Sequence, residues 1–133
     1  MEISCNVDGL EMLKYPRVYR ATMTCEGLRV DFEGHEDVLR LRGGEKVVLS
    51  INKGKEECLA HEFCGRARVV SIRRMDDGSY RAVLSIGGLL VVLRSTDRPE
   101  FDVMDEVFVG LSRLRPEQAG TFADGPTLSA SPD

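Results

Sequence analysis

The sequence predicts an all-β fold, a small closed or nearly closed antiparallel β-barrel of about seven to eight strands. Three observations carry this. Through most of the chain apolar residues alternate with polar ones, the period of a half-buried strand. Glycines, 13 in all, recur in the short breaks between these runs, where tight turns need them. Hardly any stretch has the apolar spacing of a helix. Short strands joined by glycine turns close most readily into a barrel.

Residues 2–13 space Ile3, Val7, Leu10 and Met12 around Asp8-Gly9, an opening strand with a turn or bulge. Tyr15-Pro16 punctuates it. Residues 18–25 and 28–32 flank Glu26-Gly27 as a hairpin, with Leu28, Val30 and Phe32 alternating against Arg29 and Asp31. Residues 37–41 read as a short strand or a turn of helix, ended by Gly43-Gly44. Residues 46–51 form another strand. After a polar link, residues 62–74 read as one long strand. Arg66 and Arg68 share one face there, Ala67 and Val69 the other, and Val69-Val70 shifts the phase as a bulge would.

The stretch 79–95 is the most apolar and belongs at the centre of the core. Tyr80, Ala82, Leu84 and Ile86 fall on one face; Ser79, Arg81, Val83 and Ser85 fall on the other. Gly87-Gly88 interrupts, and Leu89 to Leu93 is wholly apolar. Two readings fit: a hairpin whose glycines take positive φ, or one long strand with a glycine bulge. Pro99 marks a loop, and residues 106–114 make the last strand.

At 133 residues, 42% hydrophobic and 30% charged, the chain suits one soluble domain over residues 1–115. Residues 116–133 turn to Gly, Pro, Ser, Thr and Ala without periodicity and are expected to form a disordered tail. The net charge of −4 argues against a protein whose main task is to hold a phosphate backbone. No run approaches a membrane span, and the N-terminus lacks the features of a signal peptide. The expected compartment is the cytoplasm, where the four cysteines would stay reduced rather than form disulfides.

Three constellations invite chemistry. Cys58, His61 and Cys64 stand three apart, with Cys5 or Cys25 free to complete a zinc set. A zinc ribbon supplies two close ligand pairs, however, and only one group is present. The expectation is no metal site, with the thiols packing as small hydrophobes. A nucleophilic cysteine beside His61 or His35 would need an orienting third group that no motif provides. The glycine-lysine turns, Gly43-Gly44-Glu45-Lys46 and Lys53-Gly54-Lys55, are not followed by the Ser or Thr of a phosphate loop. No catalytic residue and no cofactor is expected.

Ser79-Tyr80, then Leu84-Ser85-Ile86-Gly87-Gly88-Leu89-Leu90-Val91-Val92-Leu93, resembles the signature of one small subunit of archaeal and eukaryotic DNA-directed RNA polymerases: the eighth eukaryotic subunit, whose archaeal counterpart is the G subunit. The resemblance extends to residues 14–20, to Leu28–Asp31, to Val38, Leu39, Leu41 and Gly43-Gly44, to residues 58–65, and to Asp105 through Val109. It covers about residues 1–115. The short link over residues 52–62 favours an archaeal type. Val91 stands where the family often has methionine, and Cys58, His61 and Cys64 have no family counterpart.

The resemblance implies an OB-like β-barrel and a non-catalytic subunit on the exterior of the largest polymerase subunit. Nucleotidyl transfer, with its magnesium, would belong to the large subunits. Ser85, Gly87, Gly88, Leu89 and Leu90 would be structural. Docking is expected at exposed strand edges and loops; the arginines Arg66, Arg68, Arg73, Arg74 and Arg81, or the 111–115 end, are candidates for the interface or a weak nucleic-acid contact. The rival function is an independent OB-fold protein that binds single-stranded nucleic acid. It would want a basic groove with stacking aromatics, yet aromatics make up 6% and tryptophan is absent.

Overall fold

A computed structural model describes residues 1–114 and consists of eight antiparallel strands. They are β1 (Glu2–Met12), β2 (Val18–Cys25), β3 (Leu28–His35), β4 (Lys46–Asn52), β5 (Phe63–Arg74), β6 (Tyr80–Ile86), β7 (Leu89–Ser95) and β8 (Glu106–Arg113). Hydrogen bonding runs around a closed ring in the order β1-β2-β3-β7-β6-β5-β8-β4. The ring shuts where Glu2 to Asn6 of β1 pair with Lys46 to Ser50 of β4. Each of these strands therefore has a neighbour on both sides, although the ladders are partial: β1 pairs with β4 only over Glu2 to Asn6 and β3 with β7 only over Leu28 to Phe32, so residues 8–12 and 33–35 keep one side without a strand partner. The link between β4 and β5 holds one 3₁₀ turn, Cys58–Ala60. The tail anticipated over residues 116–133 lies outside the described residues.

Alternation decides what fills the ring. Val47, Leu49 and Ile51 of β4, Ala67 and Val69 of β5, and Val107, Val109 and Leu111 of β8 point inward and are buried. Phe32, Met23 and Leu84 are the bulkiest contributions from the other side of the core. Phe32 meets Phe63 edge to face, ring centres 5.6 Å apart at 83°. Residues 37–41, anticipated as a strand or a turn of helix, are neither; a turn and an irregular segment carry Leu39 and Leu41 over one end of the barrel. The Tyr19 hydroxyl donates to the Leu39 carbonyl there. Burial pushes the Tyr19 phenol up to about 12, against a smaller opposing pull from the Leu41 backbone. Phe101 is buried near the other end.

Two bulges fit the chain to its curvature. β1 slips register between Val7 and Gly9, and β5 between Val69 and Ser71, both where phase breaks are readable in the sequence. One buried hydroxyl, Ser50 Oγ, has no hydrogen-bond partner among the described residues, and nothing in its surroundings explains the cost.

Gly87-Gly88 resolves as a hairpin turn. Ile86 pairs with Leu89 directly across it, and φ is +59° at Gly87 and +105° at Gly88, a sense of twist that suits a two-residue loop. A Cβ at Gly88 would meet nothing within 4 Å. Gly88→Val should therefore cost stability through backbone strain alone, roughly 1 to 3 kcal/mol. Thermal melting of the variant measures this; an unchanged midpoint would show that the turn tolerates a side chain.

Candidate interaction surface

The arginines singled out from the sequence do not form one strip. Arg66 and Arg68 lie on the outer face of β5 ahead of its bulge, and both are occupied. Arg66 Nε is 3.6 Å from Glu106 Oε2, and the Arg68 guanidinium donates to the Met104 carbonyl at 2.8 Å. Beyond the bulge Arg73 points outward, while Arg74, one residue on, takes the opposite side of the strand.

The pairing register instead brings together a set the sequence does not display. Arg73 of β5 lies opposite Arg81 of β6, Arg81 opposite Arg94 of β7, and Arg94 opposite Arg29 of β3. Residues directly opposite in antiparallel strands share a face. Their inward neighbours Ile72, Ala82, Leu93 and Val30 pack in or against the core, so all four arginines face out. They make one transverse row over three interstrand steps, about 14 Å long. None has a side-chain hydrogen bond or ion pair among the described residues. Asp31 borders the row, and Arg29, Asp31 and Arg94 enclose a surface pit of about 170 Å³. The Asp77 carboxyl lies below the usual carboxylate range, first through hydrogen bonds from Ser79 and only to a lesser degree through Arg94.

The next outward row towards the Gly87-Gly88 turn is Asp31, Val92, Val83 and Ser71. Beyond it stands Leu90, exposed, whose N–H donates to Glu33 Oε1 at 2.8 Å. Ser85 accepts a hydrogen bond from the Gly88 N–H at 3.1 Å, so the serine fastens the turn that follows it. Leu89 is half-buried. Signature residues Ser85, Gly87, Gly88 and Leu89 thus shape the hairpin, and Leu90 is the one that presents an apolar side chain outward.

The cysteines overturn the reading that they are reduced. Cys5 bonds Cys25 and Cys58 bonds Cys64. Cys5 and Cys25 are register partners in β1 and β2, while the second bridge clasps the 3₁₀ turn to the start of β5. Both sulfurs of the Cys58, His61 and Cys64 set are thereby consumed by each other. Among the described residues no group of three His, Cys, Asp or Glu converges as a metal site.

His61 belongs to a different arrangement. Its Nε2 lies 3.3 Å from Glu2 Oε2 and its Nδ1 2.9 Å from Ser112 Oγ. The trio has the residue types of a nucleophile relay, but the Glu62 N–H also donates to Ser112 Oγ at 3.0 Å, tying the hydroxyl to the loop. The imidazole packs close against β8, where a Cβ on Gly110 would come within 2.7 Å of Cδ2. Glu62 in turn accepts from Arg113, Nη2 to Oε2 at 2.8 Å. This network pins the β4–β5 link onto the barrel wall. At the 111–115 end, over its described part, Leu111 is buried and the exposed Arg113 pairs with Glu62.

At the barrel end near Phe101 a cleft of about 660 Å³ opens, floored by Ile3, Leu28, Ile51 and Leu93 and rimmed by Glu26, Lys53, Arg98 and Glu100. Its rim mixes both signs of charge and selects no ligand class. No helix of the described residues is long and apolar enough to cross a membrane.

Comparison with known proteins agrees with the resemblance read from the hairpin signature. The chain is 25% identical over 113 residues to the DNA-directed RNA polymerase subunit Rpo8 of Sulfolobus acidocaldarius, covering 81% of this chain and 93% of that one. It is 24% identical over 115 residues to the Rpo8 subunit of Saccharolobus solfataricus, covering 80% and 87%. A family model for the G subunit of DNA-directed RNA polymerase matches residues 1–119. With the whole described barrel inside that match, the chain belongs to the family of the DNA-directed RNA polymerase G subunit.

Proposed function

We propose that this protein is a non-catalytic small subunit of the multi-subunit RNA polymerase, docked on the exterior of the largest subunit and supporting assembly and stability of the enzyme during transcription. The observation that carries this reading is the family match over residues 1–119. The site chemistry supports it. The titratable groups clustered among the described residues hold loops and turns, and the unspent cations lie on an outer wall suited to contact. The protein works in the cytoplasm, at the nucleoid through the polymerase, in a cell whose interior lets its two disulfides persist, and needs no cofactor of its own.

A tagged copy expressed in its host should co-purify with the large polymerase subunits in equal amount. Recovery free of polymerase, yet tightly bound to single strands at physiological salt, would instead favour an independent nucleic-acid-binding protein. In isolation the domain should bind single strands weakly, with affinity collapsing as salt rises.

A further inference from the structure

We propose that the outer face of β3, β7, β6 and β5 binds an acidic, partly apolar protein segment, with carboxylates on the row Arg29, Arg94, Arg81 and Arg73 and apolar side chains on Val92 and Leu90. The register makes the row, and the row opposes folding. Like charges set directly across from one another in a sheet repel, and three such pairs follow in succession. The barrel has carboxylates enough to neutralise them, as it does Arg66, Arg17 and Arg113, but among the described residues places none in ion-pair contact with these four. A guanidinium fork offers paired, parallel donors that fit a carboxylate edge. Side chains two apart on an extended segment are spaced by roughly 6.6 Å, within reach of long arginines in adjacent strands.

Protein is favoured over nucleic acid by what surrounds the row. Tyr15 is the one strongly exposed aromatic among the described residues, and it follows β1, away from this face. The rings nearest the row, Tyr80 beside Arg81 and Phe108 opposite Arg66, are half-buried, which leaves little face for base stacking, the sequence-tolerant part of single-strand binding. Asp31 sits within the row's border and would oppose a continuous phosphate chain, whereas a segment with spaced carboxylates can straddle it. The half-buried Val92 and exposed Leu90 continue the same face along β7, a mixture of apolar centre and charged margin usual at protein interfaces.

That the segment belongs to the polymerase rests on the function proposed above, and two measurements separate the claims. In the first, the full-length chain and R81Q/R94Q, which keeps most of the side-chain length and removes charge, are titrated with a synthetic 12-residue peptide of alternating Glu and Leu and separately with a dT12 oligonucleotide. Melting of the variant close to that of the parent certifies its fold, and R66Q serves as the control arginine. Peptide binding that weakens at least tenfold in R81Q/R94Q and not in R66Q supports the surface. No peptide binding, equal binding by all three proteins, or tighter binding of dT12 at the same arginines overturns it. In the second, tagged parent and variant are expressed in the host. Loss of the large polymerase subunits from the variant alone assigns the segment to the polymerase. Undiminished recovery with the variant refutes that assignment, and failure of the parent to recover polymerase refutes the functional reading, whichever way the peptide titration falls.

Discussion

Phe32→Ala is expected to lower the stability of the barrel by about 3 to 5 kcal/mol, the range for emptying a buried aromatic site that cannot collapse. Phe32 is fully buried, lies between Ala21 on β2 and Val91 on β7, and stacks edge to face on Phe63. A closed ring of strands has little freedom to close over the void, because moving one wall disturbs hydrogen bonds on both of its sides. The melting midpoint should fall by on the order of 10 to 20 °C. Phe32→Leu, which refills most of the volume, should recover much of the loss. A fall of only a few degrees in the alanine variant would mean that the barrel interior is filled from elsewhere.

The next largest effect is expected from the bridge between Cys5 and Cys25, which are 20 residues apart. Closing a loop of that length removes unfolded-state freedom equivalent to about 3 kcal/mol. The bridge between Cys58 and Cys64, separated by 6, should contribute about 2 kcal/mol on the same reasoning. Denaturant unfolding of Cys5→Ala/Cys25→Ala beside the parent measures the first, with reductant added to both to expose the second. Identical midpoints for the parent with and without reductant would show that the cysteines are not bridged in solution. The effect acts on the unfolded chain, so the double variant should still bind its partners at temperatures where it is folded.

Local features are legible in the sequence and long-range ones are not. Gly87-Gly88 can be read because two glycines between apolar runs have few other uses, and the β5 bulge because Val69-Val70 breaks a clear alternation. The core faces of β4, β5 and β8 follow from a period of two. The pairing of Cys5 with Cys25 depends on the β1–β2 register, and hence on whether the break readable at Asp8-Gly9 is a turn or a bulge, which alternation does not decide. The arginine row is hidden for the same reason. Its members come from four strands, β3 lies beside β7 only through a long-range pairing, and proximity in sequence favours Arg66, Arg68 and Arg74 instead. Residues 37–41 read as a short strand or a turn of helix because the spacing of Leu39 and Leu41, which turn inward as an end plug, fits either.

The strand order also sets how quickly such a chain can find its fold. Hairpins β1–β2, β2–β3, β5–β6 and β6–β7 are local, but the seams β3–β7, β5–β8, β4–β8 and β1–β4 join distant segments. Each long seam must meet its loop-closure entropy before its contacts form. Folding is therefore expected on the millisecond-to-second scale of non-local β proteins rather than the microseconds of helical ones. The hairpins can form early, and the barrel becomes a barrel only when the first and fourth strands meet.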